Sequence, residues 1–386
     1  MRVALVHDWL DTWGGGEAVL AELLRIFPGA DVYTLVDFLE PAMRARLGSP
    51  RITATALTGI PGSRRWFRYA AVLRPQLIER FDLSRYDVVV SDSHAIAKGA
   101  RTGPGQVHVC YCHTPARFAW TMAATYAEHA AGTAAWRRPL VDYLLARFRR
   151  WDRAASRRVD RFVANSRHIA AEILRCYGRD ADVVHPPVDV ERFAAAAAAR
   201  ETDSPRTDYI TVSRLVPYKR IDVLLEAFRR LPERRLIVVG DGPERQRLEA
   251  LAVPNVEFTG TEDDAATARR VAGARAFLFA ALEDFGIAPV EAQAAGTPVI
   301  AYGRGGVRES IRGLDDRAPT GVFFDAQTPE AVAAAILAFE GAAGGITAAA
   351  CRENAQRFAA TRFRDEIARA VDQACAARAR AVAAAA

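Results

Sequence analysis

Short β-rich apolar runs alternate with amphipathic stretches along this chain, and the alternation is interrupted once, near its middle. Runs that are nearly continuous in hydrophobicity suit strands covered on both faces, which points to parallel sheets built from βα units. In the first half the strand candidates lie at 2–8, 31–36, 51–57, 87–93, 107–113 and 161–166, with helical patterns such as 16–27 between them. At 190–208 an alanine tract gives way to polar and proline residues, a composition expected of a connection between domains. A second series then begins with YITVSR, RLIVVGDG, VEFTG, AFLFAAL, PVIAYG and GVFFD, separated by amphipathic segments such as 221–231. The expected fold class is α/β: two doubly wound, Rossmann-like parallel-sheet domains facing across a cleft, at residues 1–190 and 207–365. Residues 366–386 form a closing helix and tail, and the alanine- and arginine-rich end of the 347–386 stretch is expected to fray.

The 386 residues are 51% hydrophobic and 25% charged, which excludes a disordered chain and is enough for two cores. No apolar run approaches the roughly 20 residues of a membrane-spanning helix. The opening MRVALVHDWL has the pattern of a buried strand, not of a secretion signal, so a cytoplasmic location is expected. Five cysteines, an odd number, fit a reducing compartment, and Cys110 and Cys112 share one side of a strand as core thiols. The net charge of +6 is uneven: residues 1–190 carry +7 and the remainder −1. The excess is densest at 63–80 and 136–153, where arginine is interleaved with Trp, Phe and Tyr. That composition suits contact with an anionic membrane at the inner face of the cell. It suits equally an arginine-rich solvated helix face, and no nucleic-acid module accompanies it, so no nucleic-acid partner is expected.

Only two of the 52 basic residues are lysines, Lys98 and Lys219, and Lys219 stands five positions after Arg214 in VSRLVPYKR. A point charge and a planar fork beside a strand end suit a diphosphate. Glu283 and Glu291 stand eight apart in EDFGIAPVE, across a turn with Gly286 and a helix expected to start near Ile287. Its free N–H groups suit phosphate or sugar oxygens. Gly14, Gly15 and Gly16 follow the first strand, where either a close ligand approach or a tight turn needing positive φ would require them. Gly240, in GDGP, ends another strand at a sharp turn. His113 opens HTPARFAW at a strand's carboxyl end, where α/β domains bind ligands, but His7 and His94 also fall near strand ends.

GGGE, VSRLVPYKRID, VVGDGP, VEFTG, EDFGIAPVE and EAQAAGTPVIAYGRGGVRE, in this order and spacing, resemble the retaining family 4 (group 1) glycosyltransferases of GT-B fold over nearly the whole chain. The resemblance implies an acceptor-side N-terminal domain, a C-terminal domain binding the nucleotide-sugar donor, and a last helix returning to the first domain. It implies that Arg214 and Lys219 clamp the donor diphosphate and that Glu291 holds the ribose. Glu283, with the N–H groups of Phe285, Gly286 and Ile287, would hold the sugar. Gly15 and Gly16 would shape the phosphate and acceptor side, and His113 would lie beside the transferred sugar. No metal and no cofactor are implied, the nucleotide-sugar being the substrate. HTPARFAW and the basic first half look most like mannosyltransferases assembling bacterial surface polysaccharide on a lipid carrier, with GDP-mannose as expected donor and UDP-sugars next. The alternatives are a UDP-sugar epimerase of similar fold and a non-catalytic nucleotide-sugar-binding protein. The missing GxGxxG disfavours a nicotinamide oxidoreductase.

Overall fold

The computed structural model describes residues 1–131, 135–200 and 206–385. The chain divides into two compact units, Met1–His185 with Phe363–Ala386, and Pro186–Arg362. The first contains a seven-stranded sheet of β1 (Val3–His7), β2 (Asp31–Thr34), β3 (Ile52–Ala54), β4 (Val88–Ser93), β5 (Val107–Cys112), β6 (Arg161–Ala164) and β7 (Ala181–Val183). The second contains a six-stranded sheet of β8 (Tyr209–Val212), β9 (Leu236–Val239), β10 (Val256–Gly260), β11 (Ala276–Phe279), β12 (Val299–Tyr302) and β13 (Gly321–Phe324).

Every neighbouring pair in both sheets runs parallel. The strand orders are β3-β2-β1-β4-β5-β6-β7 and β10-β9-β8-β11-β12-β13. In each the winding reverses once, between β1 and β4 and between β8 and β11. Connections there leave the sheet in opposite directions, and doubly wound folds bind ligands at the carboxyl ends of such strand pairs. The central strands β1, β4, β5 and β11 are buried along their whole length, which is why they stand out as unbroken apolar runs.

The connecting stretch expected at 190–208 needs correction. Its first part is a helix, Val190–Ala198, capped by Asp189, whose side chain accepts from the Arg192 N–H. Val190 and Phe193 are buried in the second unit's core, so alanine here is helix rather than linker. The division falls earlier, beside Pro186 and Pro187, and residues 201–205 of the expected connection lie outside the described residues. The closing stretch is two helices, Ala348–Gln356 and Ala360–Ala385, and the second continues through the alanine-rich end expected to fray.

The helix Ala360–Ala385 gives the first unit part of its core. Phe363, Ile367 and Val371 recur every four residues on one face and are buried with Leu5, Val90 and Val109. Phe363 meets the Tyr111 ring edge to face at 5.5 Å, and Arg364 pairs with Glu22 at 2.6 Å. Phe363→Ala is expected to cost about 3–5 kcal/mol in urea unfolding of the first unit, and a loss under about 1 kcal/mol would contradict this packing.

Candidate functional site

In the second unit the charged residues gather at the reversal between β8 and β11. Arg214 lies two residues beyond β8, and its exposed guanidinium has no partner among the described residues. Its turn is fixed by backbone contacts: the Ser213 N–H donates to Val239 (3.0 Å) and the Leu215 N–H to Asp241 (2.9 Å). A Cβ on Gly240 would stand 2.0 Å from the Ser213 oxygen, and one on Gly242 would stand 2.3 Å from the Leu215 oxygen. Gly240 is therefore glycine because two turns lie backbone against backbone, and its φ of +127° adds a second reason.

Lys219 ends the single helical turn Pro217–Lys219, and Arg220 follows at φ +53°, left-handed, before the helix Ile221–Arg229. A non-glycine residue held there stores strain of about 1 kcal/mol or more, a feature that clusters at functional sites. The Lys219 ammonium is ion-paired with the Glu283 carboxylate, and both side chains are mostly buried. Glu283 in turn is fixed by the Gly305-Gly306 turn, where the Gly306 N–H donates to the Glu283 carbonyl at 3.0 Å. Cβ atoms on Gly305 and Gly306 would meet the Glu283 and Asp284 oxygens at 2.4 and 2.0 Å.

Phe285 is buried against Phe358, and Gly286, at φ +85°, caps the helix Ile287–Ala294. That helix is anchored by a buried polar network. Gln293 donates to Pro289 and Ser310, and Asn354 donates to Gln293 (2.6 Å) and Ser310 (2.8 Å). Glu291 lies one turn in and meets Arg192 at 3.3 Å, while Arg192 also pairs with Asp264 at 2.9 Å. Arg192 escaped the sequence reading because it precedes the alanine tract taken as a connection.

The first unit places His113 in a charged cluster at the reversal between β1 and β4. His7 and Asp92 are register partners on those strands, and His7 Nδ1 lies 2.8 Å from Asp92 Oδ2. His113 Nε2 lies 2.5 Å from Asp92 Oδ1. Asp8 accepts four backbone N–H groups, from His94 (2.5 Å), Ala95 (2.8 Å), Ile96 (2.5 Å) and Ala97 (2.6 Å). Gly15 opens the helix Gly15–Ile26, and a Cβ on Gly16 would touch His7 Cε1 at 3.4 Å. None of Gly14, Gly15 and Gly16 has positive φ, so a left-handed turn is not what requires them. Asp92 and Glu17 were not singled out in the sequence. The one available signal was an aspartate inside the apolar run DVVVSDS, where a buried charge needs a partner.

Burial alone would lower the His7 imidazole, but hydrogen bonds and charge from Asp92 and Glu17 outweigh it and push it up to about 10. Burial would raise Asp92, yet His113 and His7 hold it well below the usual carboxylate range. Glu291 is pushed by burial up to about 7, with Arg192 acting against the shift. A carboxyl raised in the folded state destabilises the fold where it must ionise, a penalty absent below its unfolded value near 4.5 and complete above about 7. Glu291→Gln is therefore expected to raise the unfolding midpoint at pH 8, with the gain shrinking toward pH 5. A gain independent of pH in paired urea titrations would contradict this.

Family models place these clusters in a wider context. Residues 13–192 match the model described as Glycosyltransferase Family 4, and residues 193–358 match Glycosyl transferases group 1. A D-inositol 3-phosphate glycosyltransferase of Mycobacterium sp. (strain KMS) is 34% identical over 177 residues, 40% of this chain and 39% of that protein. One from Xylanimonas cellulosilytica is 35% identical over 234 residues, 52% of this chain and 53% of that protein. The chain thus spans between two fifths and about half the length of these curated relatives. Anabaena HepE, solved with UDP and glucose, superposes with a TM-score of 0.69 at 18% identity, covering 96% of this chain and 99% of that one. Sucrose-phosphate synthase of Thermosynechococcus elongatus gives 0.69 at 20% identity, covering 98% and 100%. These likenesses show a GT-B fold of two Rossmann-like domains. With one model taking up at residue 193 where the other ends, and the two together reaching from 13 to 358, the chain belongs to the family 4, group 1 glycosyltransferases.

Proposed function

We propose that this chain transfers a hexose from a nucleoside-diphosphate sugar to an acceptor hydroxyl, with retention at the anomeric carbon and without a metal ion. The second unit holds the donor and the first receives the acceptor. The observation that carries this reading is the Lys219–Glu283 ion pair at the β8/β11 reversal, with the exposed Arg214 guanidinium beyond β8. Without donor, Lys219 and Glu283 neutralise one another. An arriving diphosphate competes for Lys219 and frees Glu283 to accept hydrogen bonds from sugar hydroxyls.

As the bond from the anomeric carbon to the diphosphate breaks, negative charge grows on the departing phosphate. Arg214, Lys219 and the N–H groups of Phe285, Gly286 and Ile287 stabilise that charge by preorganised electrostatics. The acceptor hydroxyl attacks from the same face, and its proton passes to the leaving phosphate oxygen. Neither glutamate serves as a nucleophile. Glu291 binds the ribose and His113 the transferred sugar. GDP-mannose is the first donor to test, on the resemblance of HTPARFAW, with a lipid-linked or polysaccharide-precursor acceptor. The HepE complexes with UDP and UDP-glucose put UDP-glucose next, and the curated relatives add inositol phosphate as a candidate acceptor.

Peripheral membrane contact belongs to the same reading. Among the described residues no single helix is long and apolar enough to cross a membrane. The two arginine- and aromatic-rich segments form helices, Phe67–Leu73 and Arg138–Ser156, that pack on each other. Trp66, Tyr69 and Leu73 are exposed around the first, and Trp136, Leu140 and Tyr143 around the start of the second. Arg64 and Arg68 pair with Asp11, which tempers the charge there. Amphipathic rings beside arginines suit an anionic headgroup layer.

Hydrolysis of a panel of GDP- and UDP-sugars to free nucleotide, without acceptor, tests the donor, and no turnover of any of them would contradict the reading. Arg214→Ala and Lys219→Ala are each expected to slow transfer about 10²-fold or more, and near-normal rates in both would remove their assigned roles. Co-sedimentation with anionic but not neutral liposomes is expected, and failure with both would remove the membrane contact.

A further inference from the structure

The cluster around Asp92 contains more than His113 alone requires. Asp92 is completely buried, and its two oxygens take one imidazole each, His113 Nε2 at 2.5 Å and His7 Nδ1 at 2.8 Å. An ionised carboxylate only accepts hydrogen bonds, so both ring nitrogens must carry their hydrogens. That fixes the tautomer of His113 and leaves Nδ1, which has no partner among the described residues, as its free lone pair.

His7 is constrained further. Its Nε2 is buried without a hydrogen-bond partner among the described residues and lies 3.7 Å from Glu17 Oε1. With Nδ1 already protonated toward Asp92, a neutral ring would aim a lone pair at the Glu17 carboxylate. An imidazolium aims an N–H at it instead. Carboxylates on both sides therefore select the charged form, in agreement with the raised His7 value.

We propose that His7 and Asp92 are positioning residues for His113: the shared carboxylate sets its tautomer, and the buried imidazolium cancels that carboxylate's charge. The neutral His113 ring thereby carries its hydrogen on Nε2 and presents Nδ1 as a hydrogen-bond acceptor.

The other groups facing this cluster leave the balance in place. His94, whose ring centroid is 6.4 Å from that of His113, is pushed down by burial, with Asp8 acting against this and His113 and His7 adding to it. Asp8 itself is occupied by four N–H groups and by His94 Nδ1 at 3.0 Å. Tyr111, edge-on to His113 at 5.2 Å, donates its hydroxyl to the Val184 carbonyl. Lys98 is matched by Asp152 at 2.7 Å. The inference rests on the proposed function only for what His113 then accepts from, a hydroxyl of sugar or acceptor.

The test is long-range proton–nitrogen NMR of the full chain labelled with nitrogen-15 in histidine, with His113 assigned by difference against His113→Asn. At about pH 7.5 the expected spectrum shows His7 doubly protonated, and the neutral form of His113 carrying its hydrogen on Nε2. His7→Gln should raise the His113 midpoint by about one pH unit or more, and move the acid limb of kcat/KM upward with it. Should that variant not fold, Glu17→Gln should lower the His7 midpoint, because it removes one of the two carboxylates that select its charged form. A neutral His7, hydrogen on His113 Nδ1, or a midpoint unmoved in the folded variant would each overturn the proposal. The wild-type spectrum requires no sugar donor, so absence of glycosyl transfer would count against the proposed function and leave this reading standing.

Discussion

The ion pair between Lys219 and Glu283 ties together the ends of β8 and β11, two strands whose connections leave the sheet in opposite directions. Two oppositely charged side chains in a partly closed place satisfy each other at modest cost, and removing either leaves the other uncompensated. The surrounding backbone is arranged to hold this pair. Glycines at 240 and 242 let the Arg214 turn lie against its neighbour, and glycines at 305 and 306 do the same for the Glu283 loop. A side chain at any of the four would push one charged residue off its strand end.

The two units solve the same problem in different ways. In both, the chemistry gathers where the winding reverses, because that is where a doubly wound sheet leaves backbone and side chains open to a ligand. The second unit places there a mostly buried lysine paired with a glutamate, and an exposed arginine. The first unit buries its charges. Asp8 is compensated by four N–H groups, and Asp92 by two imidazoles, so neither is left as an isolated ion in a low-dielectric place. One unit thus offers cationic side chains beyond a strand end, the other a ring held in a fixed orientation.

Most of the strands were legible in the chain itself, since a strand covered on both faces must be written as an apolar run. β7 was not, because its three residues lie at the sheet edge and none is fully buried, so no hydrophobic pattern marks it. The boundary near His185 was misplaced because an alanine tract, read as a connection, is excellent helix. That misreading also hid Arg192. At the candidate site, the helix expected near Ile287 does start there, and Arg214 and Lys219 do follow a strand, β8. The pairing of Lys219 with Glu283 did not show, since it depends on the parallel arrangement of β8 and β11. Asp92 shows a similar limit: only register with β1 turns an aspartate in an apolar run into the shared partner of two histidines.

The central claim is that the second unit grips a diphosphate through Lys219 and Arg214. Calorimetric titration of the whole protein with GDP and UDP, each beside its parent nucleoside, tests this without acceptor or turnover. The account predicts that at least one nucleoside diphosphate binds about a hundredfold or more tighter than its nucleoside, and that Lys219→Ala erases most of that difference. Equal affinity for nucleoside and nucleoside diphosphate, or a difference untouched by Lys219→Ala, would contradict it.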